Sequence, residues 1–462
     1  MNLDLGYLIL AAGKGTRMHS DLPKVLQHVM HKPMLGYVFD SLNASGMHAR
    51  WTVVGFGADA VRSAFPDETN FVLQEEQLGT GHAVVKAWQN VVESGVRYVC
   101  VLNGDTPHVP VDDIVEMACQ CRMAGAAMGF LTLQLENPFG YGRVVRSENG
   151  LVRNVVEEKD FHPNDFGGQI HEVNSGVYVL AVEACSALLP KIDRNNAQNE
   201  FYLTQLISLC AAEGLPVVAR PYTGRGRLLG INSPRELVEF EESLRGRIVN
   251  ELLDSGVIIR KPGAVIVGPD VIIEPGVDIT GPCEIYGKTH VQRGAQIASH
   301  CWIKDSFLGP CQVKSFSHIE ASRIGAGASV GPFARLRPGT DIGERARVGN
   351  FVEVKKSTLH AGAKAGHLSY LGDSEIGRDV NIGAGTITCN YDGSRKHRTE
   401  IQENAFIGSN TALVAPVVVG AGALVGAGSV VTKNVPAGAL CVARARQLNL
   451  ERKSSNQSHS GE

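Results

Sequence analysis

The chain has no excess of charge of either sign, no Cys-x-x-Cys pair and no collagen-like period. Among its 462 residues, 44 Lys and Arg stand against 47 Asp and Glu, for a formal net charge of -3. This balance excludes a general binder of nucleic-acid backbones and a polybasic membrane anchor. Any anionic ligand must therefore be held by a local cluster of side chains.

The cysteines and the N-terminal segment help to predict the cellular compartment of the protein. The ten cysteines are scattered along the chain, so the sequence predicts neither a zinc knuckle nor a disulfide framework. The opening MNLDLGYLILAAGKG has no basic region before its apolar run, which is typical of a buried strand and not of a signal peptide. The uncharged stretch 411–431 contains Pro416 and four glycines, and is a poor membrane helix. We expect a cytoplasmic protein.

The first half of the chain alternates short apolar runs with helical patterns. We predict strands at 7–12, 51–54 and 97–102, and helices at 33–45 and 79–93. Alternation of this kind favours a mostly parallel sheet covered by helices. The fold class predicted for residues 1–232 is therefore an α/β, Rossmann-like domain.

After residue 232 the sequence predicts a helix and then a six-residue repeat. Ser233-Pro-Arg-Glu236 is a helix-start pattern, and apolar residues at helical spacing continue to Gly256, so 233–256 is predicted to be a linker helix. Within 257–446 the apolar period becomes six, which indicates a hexapeptide-repeat, left-handed parallel β-helix. The residues in register are Val267, Ile273, Ile279, Ile285, Val291, Ile297, Ile303, Ile324, Val330, Leu336, Ile342, Val348, Val354, Ile401, Ile407, Leu413, Val419, Val425 and Val431.

The six-residue register breaks at 304–323, 355–375 and 389–400. Breaks in a solenoid often form protruding loops on the binding face, so we expect three loops here. The last break, CNYDGSRKHRTE, concentrates polar and basic residues and is the leading candidate for ligand contact. The polar segment 447–462 is predicted to be a disordered tail.

Two motifs in the first half could bind phosphates and a metal. A glycine-rich turn with Lys14 and Arg17 follows the first strand, but its spacing matches neither of the common nucleotide-binding glycine motifs. It could therefore bind phosphate or simply form a tight turn. Asp105, after the strand ending at 102, could bind Mg²⁺ or belong to an Asn-Gly-Asp turn. Asn232 could complete the ion's shell or cap the next helix.

The wider motifs resemble a known family. LAAGKGTRM (10–18) followed by LPK (22–24) is similar to the signature of sugar-1-phosphate nucleotidyltransferases. Together with QLGTGHA, NGD, GYGR, VVEEKD, VNSG and the hexapeptide repeat, it resembles the bifunctional bacterial family that joins N-acetylglucosamine-1-phosphate uridyltransferase to glucosamine-1-phosphate N-acetyltransferase. The resemblance covers residues 5–446. It implies an enzyme supplying UDP-N-acetylglucosamine for envelope polymers.

The resemblance implies roles for residues of the first domain. Asp105 and Asn232 would bind Mg²⁺, and Lys24 would neutralise charge that builds toward pyrophosphate. Asn103 departs from the family pattern, where we expect a bulkier residue. The residues expected to contact nucleotide or sugar are Leu10, Ala11, Ala12, Gly13, Lys24, Gln74, Gly79, Thr80, Asn103, Gly104, Gly142, Glu157 and Asn174.

The β-helix contains a second set of candidate site residues. His367 is the expected general base, because an imidazole can accept the proton of an amine that attacks a thioester. Glu353 could orient the amine or the base. By resemblance, glucosamine-1-phosphate would be bound by Arg337, Lys355, Tyr370 and Asn381, and acetyl-CoA by Ala384, Asn390, Tyr391, Ser409, Ala427 and Arg444. The family also implies a homotrimer.

Three hypotheses for the function follow. The first is a two-step enzyme with both activities, using small-molecule substrates and binding neither nucleic acid nor membrane. In the second, only the nucleotidyltransferase is active and the β-helix is a trimerisation stalk, which would not need His367, Lys355 and the 389–400 loop together. The third is a non-enzymatic scaffold, which would have no reason to retain Asp105 beside a basic loop.

Overall fold

The computed structural model describes residues 4–46, 49–224 and 228–450. The chain divides into two compact units, Met1–Glu242 and Ser243–Glu462. From residue 451 onward, the predicted tail lies outside the described residues. No helix in the described ranges is long and apolar enough to cross a membrane.

The first unit alternates strands and helices. In chain order they are β1 (Leu5–Ala11), β2 (His28–Val29), β3 (Lys32–Pro33), α1 (Met34–Ala44), β4 (Arg50–Val54), α2 (Ala58–Ala64), β5 (Phe71–Leu73), α3 (Thr80–Glu93), β6 (Tyr98–Asn103), α4 (Val111–Ala124), β7 (Met128–Gln134), β8 (Arg143–Arg146), β9 (Val152–Val156), β10 (Glu172–Ala181), α5 (Val182–Leu188), α6 (Gln205–Ala212) and β11 (Val217–Pro221). The predicted strands and helices are present, with ends shifted by one or two residues.

A mostly parallel sheet forms the centre of this unit. Its strand order is β11-β7-β10-β6-β1-β4-β5, and β8 and β9 form a hairpin beside β10. Strand β1 pairs in parallel with β4 and β6, whereas β10 is antiparallel to its neighbours. Leu8 packs into the core on one face of the sheet, and Tyr7 and Ile9 pack on the other. Burial on both faces confirms the predicted Rossmann-like, three-layer arrangement.

Helix α7 (Pro234–Asp254) runs from the first unit into the second. The Ser233 hydroxyl accepts the backbone N–H of Glu236 at 3.3 Å, and the Glu236 carboxylate accepts the N–H of Asn232 at 2.6 Å. These bonds satisfy donors that the first turn leaves free. The helix predicted at 233–256 therefore forms, although the unit boundary falls inside it and the predicted domain limits remain a prediction.

The second unit consists of short strands wound into a prism. They are β12 (Ile258–Arg260), β13 (Val265–Val267), β14 (Ile272–Ile273), β15 (Asp278–Thr280), β16 (Cys283–Tyr286), β17 (His290–Val291), β18 (Gln296–Ile297), β19 (Cys301–Lys304), β20 (Phe307–Leu308), β21 (Gln312–Val313), β22 (His318–Glu320), β23 (Ser322–Ile324), β24 (Ser329–Val330), β25 (Arg335–Leu336), β26 (Thr340–Ile342), β27 (Arg347–Asn350), β28 (Glu353–Lys355), β29 (Thr358–Leu359), β30 (Lys364–His367), β31 (Tyr370–Gly372), β32 (Ser374–Ile376), β33 (Asn381–Ile382), β34 (Ile387–Cys389), β35 (Thr399–Ile401), β36 (Phe406–Ile407), β37 (Ala412–Val414), β38 (Val417–Val419), β39 (Leu424–Val425), β40 (Val430–Val431) and β41 (Leu440–Cys441).

Each turn of the chain contributes one strand to each of three parallel sheets. Sheet one runs β12-β15-β18-β21-β24-β27-β30-β33-β36-β39-β41, sheet two runs β13 to β40, and sheet three runs β14 to β38. Each sheet takes every third strand, except that β41 follows β39 at the end of sheet one. All nineteen residues of the predicted register are buried, none exceeding 7% exposure. They form one continuous aliphatic core, and the predicted left-handed β-helix is confirmed.

The prediction of three protruding loops is wrong for two of them. At 304–323 and 355–375 the coil continues, and the spacing of buried residues merely shortens from six to five, as between Ile303 and Leu308 or Val354 and Leu359. Asp305 and Lys356, in the left-handed conformation, make the shortened corners. A missing residue is absorbed at a corner, whereas the extra residues at 389–400 must leave the coil.

The burial of the six-residue register predicts that an Ile→Ala substitution lowers the free energy of unfolding much more at a buried position than at an exposed one. Ile303→Ala should destabilise the β-helix unit by about 2–5 kcal/mol, since Ile303 is fully buried and truncation leaves a cavity. Ile272→Ala is the matched control, because Ile272 is 61% exposed and should cost less than about 0.5 kcal/mol. Urea unfolding of both variants checks this, and equal losses would contradict the assigned core.

Candidate functional site

The first candidate site lies at the carboxyl ends of β1 and β6. Leu10 pairs with Asn103 across these parallel strands, so the loops that follow both strands start side by side. Gly15, in the loop after β1, has φ +66°, and a Cβ there would meet the Cβ of Lys24 at 2.6 Å. A glycine is needed because Lys24 packs against the loop backbone.

These loops border a cleft of about 410 Å³. Most residues predicted to contact the nucleotide line it: Leu10, Ala12, Gly13, Lys24, Gln74, Gly79, Thr80 and Asn103. The predicted metal ligands Asp105 and Asn232 line it too. Ala11 and Gly104 are buried behind the surface of the cleft. The packing around Gly104 is close, since a Cβ there would meet Val25 and Ala11 at 3.1 and 3.2 Å.

Two oxygens converge on the ammonium of Lys24. It donates to the Asp105 carboxylate and, at 2.7 Å, to the Asn232 side-chain oxygen. Arg17 donates to the same Asn232 oxygen at 2.9 Å. The N–H of Ile231 donates to the Asp105 carbonyl at 3.0 Å and brings Asn232 back beside β6. A carboxylate and an amide oxygen facing one cation are the donor types that Mg²⁺ prefers.

The opposite wall of the cleft comes from the QLGTGHA motif and the start of α3. The Gln74 amide donates to the Gly79 carbonyl at 3.2 Å and contacts Nδ1 of His82 at 2.9 Å. Thr80 accepts the N–H of Leu203 at 3.1 Å. Gly79 has φ +107°, and a Cβ there would meet the Phe201 carbonyl at 2.6 Å. The close packing holds the donors of this wall in place.

The three residues predicted for the sugar lie together next to the cleft. Asn174 donates its N–H to the Gly142 carbonyl at 2.9 Å, and a Cβ on Gly142 would lie 3.4 Å from the Glu157 carboxylate. The structure therefore brings together Gly142, Glu157 and Asn174. Asn103 adjoins this group, because a Cβ on Gly176 would meet its amide nitrogen at 2.4 Å.

Glu157 occupies an unusual environment for a carboxylate. Burial raises its pKa, the nearby carboxylates Asp160 and Glu200 raise it further, and a hydrogen bond from Thr204 at 2.9 Å opposes the shift. Glu157 also lines a second, polar cavity of about 210 Å³ together with Asp160, Tyr202 and Thr204.

Several lining residues were not singled out from the sequence. Glu200 faces the cleft, and Thr204 holds Glu157, but both lie in a segment without a recognisable motif. Gly15 and Thr16 line the cleft as well, beside Lys14 and Arg17, the two cations of the glycine-rich turn that the sequence predicts could bind phosphate. Gln77 and Ala83, which bound the QLGTGHA motif, could have been inferred from it.

The second candidate site lies on sheet two of the β-helix. Arg337 forms an ion pair with Glu353 at 2.9 Å. In the next coil Tyr370 pairs with Glu353 across β28 and β31, and Lys355 pairs with Gly372. Three of the four predicted sugar-phosphate residues, Arg337, Lys355 and Tyr370, therefore share one face of the prism.

The loop between β34 and β35 adds to this face. It leaves the coil, with Tyr391 bridging to Lys396, and Asn390 donates to the Asp373 carboxylate. The ammonium of Lys396 lies so close to Lys355 that it lowers the pKa of Lys355, and Arg337 adds to the effect. Lys396 and Asp373 join the site through the fold, although only Lys396 stood in the motif region singled out from the sequence.

His367 ends β30 on sheet one and is exposed. The carbonyl of its neighbour Leu368 accepts the N–H of Gly385, which places Ala384 one coil above His367. Ala384 in turn accepts from Asn410, and Ser409 accepts from Gly428, so Ala384, Ser409 and Ala427 form one column of small residues. The column leaves room along the corner of the prism directly above His367.

Two predicted residues stand apart from the sheet-two cluster. Arg444 donates to the Ala427 carbonyl at 2.6 Å and so joins the column. Asn381 begins β33 on sheet one and pairs with Lys364, so within one chain it lies on a different face from Arg337, Lys355 and Tyr370. Tyr391, at the tip of the loop, is exposed and donates to the Gly393 carbonyl at 2.6 Å.

Comparison with known proteins matches both units. Residues 7–201 match the model of the MobA-like NTP transferase domain, and residues 398–433 match the bacterial transferase hexapeptide repeat. The chain is 54% identical over 449 residues to the bifunctional protein GlmU of Oleidesulfovibrio alaskensis, with 97% of each chain covered. It is 44% identical over 461 residues to the protein of that name from Pseudomonas putida, again with 97% of each covered.

The environment of Glu157 predicts a pH-dependent stability. A carboxyl with a raised folded-state pKa destabilises the fold as pH rises through the unfolded-state pKa, and the full cost is present above the folded-state pKa. Glu157→Gln, which can still accept from Thr204, should therefore raise the melting temperature of the first unit near neutral pH. The gain should shrink as pH falls toward about 4.3, the usual pKa of Glu.

Thermal melts of both proteins at a series of pH values test this. Glu183→Gln is the control, because Glu183 is exposed in α5. A melting temperature that Glu157→Gln leaves unchanged at neutral pH, or lowers there, would show that the buried carboxylate is not destabilising.

Proposed function

Because the chain belongs to the bifunctional GlmU family, we propose that it acetylates glucosamine-1-phosphate with acetyl-CoA and then transfers uridylyl from UTP to N-acetylglucosamine-1-phosphate. The second step releases pyrophosphate and forms UDP-N-acetylglucosamine. The observation that carries the two-step proposal is the polar face of the β-helix. A stalk needs only a stacked core, whereas here Lys396 and Arg337 lie close enough to Lys355 to lower its pKa, which gathers three cations on one face.

The uridylyl step takes place in the cleft of the first unit. A phosphate oxygen of the sugar attacks the α-phosphorus of UTP, and the bond from that phosphorus to the oxygen shared with the β-phosphate breaks. Lys24 and Arg17, which meet at Asn232, would neutralise negative charge that builds on the leaving pyrophosphate. The wall containing Gln74, Gly79 and Thr80 would hold the nucleotide, while Gly142, Glu157 and Asn174 would hold the N-acetylated sugar.

A divalent metal fits this cleft, and we assign Mg²⁺. The described residues contain no cluster of three or more His, Cys, Asp or Glu that could form an all-protein metal cage. Mg²⁺ usually takes only one or two protein carboxylates, with phosphate oxygens and waters completing its shell. Asp105 and Asn232 would hold it, and when bound it supplies charge neutralisation to the phosphates.

The acetyl step takes place on the β-helix. The amine of glucosamine-1-phosphate attacks the thioester carbonyl, the C–S bond breaks, and coenzyme A leaves as the thiol. His367 accepts the proton that the amine loses and passes it to the departing sulfur. Arg337, Lys355 and Lys396 would bind the sugar phosphate, and acetyl-CoA would lie along Ala384, Ser409 and Ala427, with Asn390, Tyr391 and Arg444 at its edges.

We also propose that the protein is a homotrimer. Phe316, Phe333, Phe351 and Leu368 stack along one corner of the prism, each between 44% and 62% exposed. The rings of Phe316, Phe333 and Phe351 are nearly parallel, with centroids 4.9 and 5.2 Å apart. An exposed apolar row of this length favours burial against another copy. A neighbouring prism beside this corner would also explain how Asn381, on sheet one, joins a site whose other residues lie on sheet two.

The proposal includes a cytoplasmic location, which both soluble co-substrates favour. The alternative of a single-activity nucleotidyltransferase remains the second candidate, since a β-helix can act as a stalk. The non-enzymatic scaffold is disfavoured by the cleft, because Lys24, Asp105 and Asn232 converge there.

Two substitutions should separate the activities. His367→Ala should reduce acetyl transfer by about 10²–10⁴-fold, the usual contribution of a general base, and leave uridylyl transfer unchanged. Asp105→Ala should reduce uridylyl transfer by about 100-fold or more, because several kcal/mol of charge stabilisation are lost, and spare acetylation. Coenzyme A release without UTP, and pyrophosphate release from UTP and N-acetylglucosamine-1-phosphate, measure the two steps.

Each variant is the control for the other, since both must be folded to retain one activity. Sugar-dependent coenzyme A release by the unmodified protein supports the acetyltransferase. Its absence would reduce the β-helix to a stalk. Loss of both activities in a folded single variant would contradict the two-site proposal.

The exposed row of Phe316, Phe333, Phe351 and Leu368 predicts which substitutions should dissociate the proposed trimer. Phe333→Ser combined with Phe351→Ser should convert the trimer to monomer, because both rings are largely exposed in the single chain and contribute little to its own core. Ile272→Ser is the matched control, being 61% exposed elsewhere on the prism. Light scattering coupled to gel filtration gives the mass. A monomeric unmodified protein would refute the proposal, as would a double variant that remains trimeric.

A further inference from the structure

Cys283 and Cys301 lie directly opposite each other in the β-helix. They pair in register across β16 and β19, which are adjacent parallel strands of sheet two. Both side chains point into the prism, with 2% and 3% exposure. All ten cysteines belong to the described residues and all are free thiols, so this pair is reduced in the structure.

The register brings the two thiols close enough to bond. Adjacent strands of a sheet are about 4.8 Å apart, and a disulfide needs Cα atoms about 4.4–6.8 Å apart. In the reduced protein each sulfur rests against a backbone carbonyl: Cys283 donates to Ala298 at 3.0 Å and Cys301 donates to Lys314 at 3.4 Å. In-register side chains on one face are also about 4.8 Å apart at Cβ, slightly beyond the usual disulfide range of about 3.5–4.5 Å. A bond here would therefore be strained and readily reduced.

The surroundings make Cys283 the more reactive thiol. The adjacent Cys301 side chain lowers the pKa of Cys283, and the backbone of Cys301 and His300 lowers it further. The same contact and burial raise the pKa of Cys301. The thiolate is the nucleophile in thiol oxidation, so Cys283 would react first and Cys301 would resolve the product.

We propose that Cys283 and Cys301 are a site of reversible oxidation that forms a disulfide between two consecutive coils of the β-helix. With a peroxide as oxidant, the Cys283 sulfur attacks one peroxide oxygen, the O–O bond breaks, and a sulfenic acid and one water form. The Cys301 sulfur then attacks the Cys283 sulfur, the S–O bond breaks, and a second water leaves. Two thiols and one peroxide become one disulfide and two waters.

Cys311 shows why the pairing matters. It is equally buried in the same prism, but the residues in line with it on the neighbouring coils are Ala295 and Ala328. Burial raises the pKa of Cys311 to about 12. No sulfur faces it, so Cys311 is the matched control for burial without a partner.

Peptide mapping of the full chain tests the proposal. The protein is treated with hydrogen peroxide, free thiols are alkylated under denaturing conditions, and tryptic peptides are identified by mass. Lys288 and Arg293 lie between the two cysteines, so they fall on different peptides. We expect one cross-linked pair, lighter than the two separate peptides by two hydrogen atoms, that dithiothreitol separates. The Cys311→Ser variant should give the same pair.

Several results would overturn this proposal. They are full alkylation of both cysteines after peroxide, accumulation of sulfinic acid at Cys283, or linkage of either residue to another cysteine. Because the mapping uses the unmodified protein, it decides even if Cys283→Ser fails to fold. Where that variant folds, its Cys301 should remain alkylatable after peroxide.

Discussion

Parallel pairing of short strands is the constraint on which both units depend. In parallel strands the carboxyl ends meet at one edge, and residues in register repeat about 4.8 Å apart. In the first unit this edge brings the loops after β1 and β6 together, so Lys24 can reach Asp105 and Asn232. In the second unit the same pairing stacks Ala384, Ser409 and Ala427 into a column. The Cys283–Cys301 pair is a third consequence of that register.

The two units use this constraint differently. The Rossmann-like unit brings most of the residues predicted to bind the nucleotide to the carboxyl ends of its strands, in a cleft bounded by glycine-rich loops. In the β-helix the charged side chains lie outside a continuous aliphatic core, while buried hydroxyls such as those of Thr289 and Ser357 donate to backbone carbonyls. Function there depends on what departs from the repeat. The loop between β34 and β35 is the clearest departure, and it places Lys396 beside Lys355 and Asn390 against Asp373.

Charge is handled by local compensation in both places. Lys24 is only 8% exposed, and burying an ammonium is costly unless oxygens surround it, which Asp105 and Asn232 do. On the β-helix, Glu353 offsets Arg337 at 2.9 Å, yet Lys355 and Lys396 face each other as like charges. A doubly negative sugar phosphate would relieve that repulsion. Glu157 shows the reverse case, a buried carboxylate among other acids.

Much of the fold and of the two candidate sites could be predicted from the sequence. Hexad residues such as Ile303 and Val348 are inward because a six-residue period permits no other arrangement of a stacked core. The loop after β1 was identifiable from LAAGKGTRM. The register breaks at 304–323 and 355–375 do not form the predicted loops, because a sequence pattern does not distinguish a residue lost at a corner from residues added in a loop. Glu200, Thr204 and Asp373 belong to no motif, so their places in the sites were not predictable.

Local pattern therefore determined the succession of elements, the inward and outward faces, and the family to which the chain belongs, since all three depend on residues near one another along the chain. Only the tertiary structure decided which distant groups meet. Asn232 reaches Asp105 because Ile231 pairs with the strand-end backbone, and Asn381 lies on a different face from Arg337 because each coil divides its residues among three sheets. Such contacts depend on chain closure over long separations, which no local spacing encodes.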